Sequence, residues 1–89
     1  MITPVKLVYY REKDWERFLE SIDDRESMHD TWNDWHKAFL KTKMELISQG
    51  FHVVDVIIDI DELKDYCTNR GIKNTGKARS QFTAKRLDV

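Results

Sequence analysis

The sequence predicts a small α+β domain, ordered β-α-α-β-α-α, with a two-stranded sheet packed against four helices. Three observations carry that prediction. Two runs rich in β-forming residues stand far apart, at 5–10 and 52–60. Between and after them, apolar side chains recur at the three- and four-residue spacing of amphipathic helices. Glycines, acids and hydroxyl residues sit where those helices must start and stop.

Residues 5–10 read as a strand with Val5, Leu7 and Tyr9 on one face. Thr3-Pro4 also resembles an N-cap followed by proline at the first helical position, so a helix stays open there. Trp15, Phe18, Leu19 and Ile22 set a helix over about 13–22, which Asp23-Asp24-Arg25 breaks. Ser27, with Asp30 three residues on, opens a second helix in a near capping box. Its stripe of Met28, Trp32, Trp35 and Phe39 drifts onto Leu40, Met44 and Ile47. Gly50 suits the left-handed position that ends it. At roughly 22 residues this helix is about 33 Å long.

Residues 52–60 make the stronger strand, with Val54, Val56, Ile58 and Ile60 on a core face and Asp55 and Asp59 among the alternate positions. Asp59-Ile60-Asp61-Glu62 starts a third helix that turns Leu63, Tyr66 and Cys67 inward, and Gly71 ends it. Asn74 or Thr75 caps a last helix running to about Leu87, with Ala78 and Phe82 inward. Two antiparallel helices between the strands favour antiparallel strands, with parallel pairing as the alternative. Two strands alone leave two open edges. Pairing between two copies of the chain would close one of them, and cover by helices is the other remedy.

Eighty-nine residues, 40% hydrophobic and 35% charged, fit a single domain over 1–89 with a packed core and a wetted exterior. No segment approaches a membrane span, and residues 1–6 lack the pattern of a signal peptide. A single cysteine excludes an internal disulfide and fits a reducing, cytoplasmic setting. The net charge of −1 conceals a separation. From Arg11 to Trp35 there are nine acidic residues against four basic ones; from Tyr66 to Leu87 there are six basic residues and no acid.

The motif that names a chemistry most directly lies at residues 71–78. Gly71, Gly76 and Lys77 match the glycine and lysine positions of a phosphate-binding loop, but Ala78 stands where Ser or Thr would hold magnesium. A helix, not a strand, precedes it, so the reading preferred here is a joint between two helices. His29, His36 and His52 have no metal-ligand spacing, and no metal or other cofactor is expected. Cys67 falls in phase with Leu63 as a core cysteine, and Trp15, Trp32 and Trp35 lie on packing stripes. Asp59, Asp61 and Glu62 could form an enzymatic carboxylate site, although acids are favoured at any helix N-terminus. Lys73, Lys77, Arg79, Lys85 and Arg86, around Phe82, could contact a phosphate backbone.

The runs Tyr9-Tyr10-Arg11, Asp14-Trp15 and Phe18, with Tyr66-Cys67, Arg70-Gly71, Asn74, Gly76 and Ala78-Arg79, resemble short bacterial proteins of unknown function. That resemblance implies a bacterial, cytoplasmic, single-domain protein and carries no activity, cofactor or site. The expectation is therefore a non-enzymatic interaction or regulatory module that binds a protein partner or itself as a homodimer. A nucleic-acid-binding accessory domain is the alternative, and an enzyme using the acids at 59–62 the third.

Overall fold

The computed structural model describes residues 4–85. Strand β1 is Val5–Tyr9, and a 3-10 turn at Glu12–Asp14 leads into helix α1, Trp15–Ser21. A second 3-10 turn, Arg25–Ser27, precedes helix α2, Trp32–Ser48. Strand β2 is Val53–Ile57, helix α3 is Ile60–Arg70 and helix α4 is Gly76–Ala84. The α+β class and the β-α-α-β-α-α order are as the residue pattern predicts, and residues 5–9 are strand. The end of the last helix expected near Leu87 lies outside the described residues.

The strands pair in parallel, Val5 beside Val53 through Tyr9 beside Ile57, which corrects the antiparallel expectation. The reason is that only one of the two intervening helices makes the return journey. Trp32, the first residue of α2, donates its indole N–H to the carbonyl of Tyr10 just past the end of β1, at 2.7 Å. At the other end, the Val5 N–H donates to the His52 carbonyl just before β2, at 2.8 Å. Helix α2 alone thus carries the chain back to the starting edge, as in a βαβ unit. Helix α1, seven residues long, is an excursion that reverses nothing.

α2 also starts later than Ser27. Its N-cap is Thr31, whose hydroxyl accepts the Asp34 N–H at 3.1 Å, and the helix has 17 residues. Ser27 instead bonds back to Asp24 and closes the 3-10 turn. Competition decided this: Ser27 finds a local acceptor and Asp30 is held by Arg25, so neither serves the capping box. The stops behave as expected, with Gly50 at φ 91° and Gly71 at φ 64°.

The sheet lies between helices. Tyr9 meets Trp35 and Phe39 edge-on, and Asp55 pairs with Lys43, so α2 covers one face. On the other, Val56 and Ile58 are fully buried with Phe18, Leu63, Cys67 and Phe82 from α1, α3 and α4. Tyr10, Trp15, Phe18 and Trp35 join the two halves of this core in a cluster of stacked and tilted rings.

Candidate functional site

The residues that resemble a phosphate cradle build an internal corner. Gly71 is the left-handed cap of α3, and Thr75 precedes α4 without a capping bond from its own hydroxyl. The capping acceptor comes from across the molecule. Asp24 Oδ2 takes the Gly76 N–H at 3.0 Å, so a carboxylate already occupies the place at the head of α4 that an anion would take. The same carboxylate accepts both terminal nitrogens of Arg79, at 2.9 and 2.7 Å. Arg79 Nη1 also donates to the Asn74 backbone and side-chain oxygens, at 3.1 and 3.2 Å. Beside this, Asp23 and Asn74 exchange bonds, Asp23 N–H to the Asn74 carbonyl and Asn74 N–H to Asp23 Oδ2. The Arg79 guanidinium holds the Asp24 carboxyl below its usual range, with the Ser27 hydroxyl and Gly76 N–H assisting against partial burial.

Arg79 is thereby removed from the basic set. It is 4% exposed, turned into the core with its guanidinium over the Phe18 ring, and no phosphate backbone can reach it. Lys73, Lys77 and Lys85 are exposed. Lys85 lies near the Tyr66 ring, on which Arg70 stacks at 3.9 Å. Arg86 lies outside the described residues. Among the described residues the acidic early chain and the basic late chain thus meet through the pair of Asp24 with the buried Arg79, which is where part of the sequence's charge separation goes.

The carboxylates at 59–62 have structural partners. Asp59 Oδ1 caps α3 by accepting the Glu62 N–H at 3.0 Å, and Asp61 pairs with Arg17 of α1 at 3.1 Å. Among the described residues no three His, Cys, Asp or Glu side chains come together in a way that could hold a metal ion. Cys67 is a free, buried thiol, and burial pushes its pKa up, away from the nucleophilic thiolate. His36 stacks on Trp32 at 4.4 Å, and the Trp15 indole N–H points to the Asp30 carbonyl at 3.4 Å. The indoles are packing elements. Trp15 and Trp32 also floor an acidic groove of about 490 Å³ walled by Glu12, Glu16, Glu20 and Asp30.

The most conspicuous surface lies where the apolar stripe of α2 drifts. The residues buried from α2 are Trp35 and Phe39, with Leu46 half-buried. Leu40, Met44 and Ile47 do not continue that stripe. They form a second one, about 130° further round the helix. Phe51, tied back to the helix end by its N–H on the Leu46 carbonyl, extends it. With Ile57 of β2, these five side chains are between 44% and 64% exposed. Leu40 and Ile57 rim one shallow pocket of about 390 Å³, whose floor holds Tyr9, Phe39 and the Lys43–Asp55 pair. The signal for this face was present in the sequence as a change of phase: 35-39-46 and 40-44-47 are two helical rows, not one.

No helix among the described residues is long and apolar enough to cross a membrane. Comparison with protein-family models, with curated proteins and with solved structures gives no match, so function rests on the geometry of the chain itself.

Proposed function

We propose that this chain is a non-catalytic protein-interaction module whose docking surface is the face formed by α2 and β2. One observation carries the reading. Leu40, Met44, Ile47, Phe51 and Ile57 stand exposed, by 44% to 64%, beside the open edge of a two-stranded sheet. Exposed apolar residues scattered singly mean little, whereas a run of them along one helix and its neighbouring strand marks a binding surface. A strand edge adds main-chain donors and acceptors to the same surface, and it is left open only at a risk of unwanted pairing. Supporting the non-catalytic part, Asp59, Asp61 and Cys67 are all committed to capping, an ion pair or core packing. The free, buried cysteine supports a reducing compartment such as the cytoplasm.

The test is site-specific photo-crosslinking in cells that produce the protein. Met44→benzoylphenylalanine yields discrete adducts with a polypeptide, whether another protein or the same chain. Asp65→benzoylphenylalanine, on exposed α3 surface, serves as the control. Equal and diffuse labelling from both positions overturns the assignment of the face.

A further inference from the structure

Resting on that reading, we propose that the partner is a second copy of this chain, joined by antiparallel pairing of β2 with its own image across a twofold axis through Asp55. Four geometric facts converge on it.

The first is which atoms are free. The His52 carbonyl accepts from Val5, and the Ile58 N–H donates to Tyr9, so the even-numbered positions of this segment face β1. By strand alternation, the N–H and C=O groups of Val53, Asp55 and Ile57 point the other way, to the side where the sheet ends. The second is self-complementarity. A twofold axis at Asp55 sets Val53 opposite Ile57 of the second copy, an apolar cross-strand pair, and turns two strands into four.

The third is the helix. The ion pair from Lys43 to Asp55, 2.9 Å long, places the Lys43 turn of α2 level with the middle of β2, so one axis serves both. Each α2 covers two strands, and two strands span about 9.6 Å. That equals the 8–10 Å at which helices pack side by side. Around this axis, two antiparallel α2 helices bring Met44 near its own image and Leu40 near Ile47 of the second copy.

The fourth is an unfilled bond. Asp55 Oδ1 is buried and has no hydrogen-bond partner among the described residues, while Oδ2 holds Lys43. Two Asp55 carboxylates meeting at the axis would repel, but two Lys43 ammonium groups accompany them. Each free Oδ1 then lies within reach of the lysine of the other copy. A standard interface of about 800 Å² per partner is roughly an eighth of the chain's 6063 Å² surface, which this face and edge together can supply.

The experiment uses the whole chain in two measurements. Sedimentation equilibrium across a hundredfold range of micromolar concentration gives a mass of twice 10.7 kDa. Met44→Lys, at an exposed position that leaves the single chain folded by circular dichroism, raises the dimer dissociation constant at least ~tenfold. Oxidised Val53→Cys/Ile57→Cys gives a covalent dimer. The two positions are too far apart along one strand to bridge, yet lie about 5.5 Å apart across an antiparallel pair. Glu62→Cys gives no covalent dimer. A dimer that resists Met44→Lys, or forms no 53–57 cross-link, overturns the strand-pairing geometry. A monomer at every concentration overturns the second copy as partner. In that case adducts to another protein from position 44 leave the docking face standing, and their absence removes both.

Discussion

Replacing Asp24 by alanine tests the corner that joins the acidic and basic parts of the chain. Asp24 holds three main contacts: both ends of the Arg79 guanidinium and the first N–H of α4. Its side chain is 18% exposed and that of Arg79 only 4%, so the variant leaves a guanidinium in the core with no anionic partner, only the Asn74 oxygens, the Tyr10 hydroxyl, the Met28 sulfur and the Phe18 ring. Breaking a buried pair from one side costs about 3–5 kcal/mol. Loss of the cap adds about 1 kcal/mol. A domain of this length has about 4–13 kcal/mol in all. Asp24→Ala therefore removes a third of the stability or more, and the melting temperature falls by about 15–40 °C. Urea unfolding followed by circular dichroism and tryptophan fluorescence measures it. The double variant Asp24→Asn/Arg79→Met separates the cause, because removing both charges leaves no orphan, and it is more stable than Asp24→Ala. A loss under about 1 kcal/mol for Asp24→Ala, or a double variant worse than the single, would refute the idea that this pair holds α4 in place.

The same pair gives a pH dependence. Arg79 depresses the folded carboxyl below the ordinary 3.8, so its stabilisation is complete above that value and is lost as pH falls from 3.8 through the lower folded value. The stability difference between the native chain and Asp24→Asn should accordingly shrink as acid is added and stay flat through neutral pH; an increase toward low pH contradicts the assignment. The Cys67 thiol, buried and raised in pKa, should react with a thiol reagent at mildly alkaline pH only as fast as the chain opens, and rapid stoichiometric labelling of the native protein would refute its burial. Gly71→Ala should cost about 1 kcal/mol in urea unfolding. No atom crowds the site, so that cost comes from the φ of 64° alone, and Gly71→Asn should recover part of it. With Arg79 inward, oligonucleotide affinity should stay weak, and Lys73→Ala with Lys77→Ala should change it little; tight binding with a steep salt slope lost in those variants would move the function to α4.

Local chemistry was readable wherever one residue's backbone geometry decided the outcome. Gly50, Gly71 and Asp59 each mark a boundary because a left-handed φ or an N-cap leaves few alternatives. The start of α2 was harder, since Ser27 and Thr31 are equally good caps and the choice fell to Asp24, which claims Ser27. Strand direction was hidden for a different reason. Pattern shows that two helices lie between the strands, but only the contact from Trp32 to Tyr10 shows that one helix does the returning. Arg79 was misplaced because a wheel puts it beside Phe82 and Arg86 without revealing that Asp24, 55 residues earlier, waits on that side. The apolar row of α2 was visible as residues yet not as surface. A second stripe beside a first reads as a wide core face until the neighbours on each side are known.

The parallel pairing has a kinetic consequence. Val5 pairs with Val53, and Asp24 with Arg79, so the two long-range closures interleave along the chain instead of nesting. Neither the first half nor the second contains a finished unit: cutting anywhere between Asp24 and Val53 severs both. Helical content alone would suggest rapid folding, but these separations make the sheet and the corner wait on each other, with loop-closure entropy lost before either contributes. The chain should therefore fold late and all at once, in a single exponential phase slower than a helical bundle of its size.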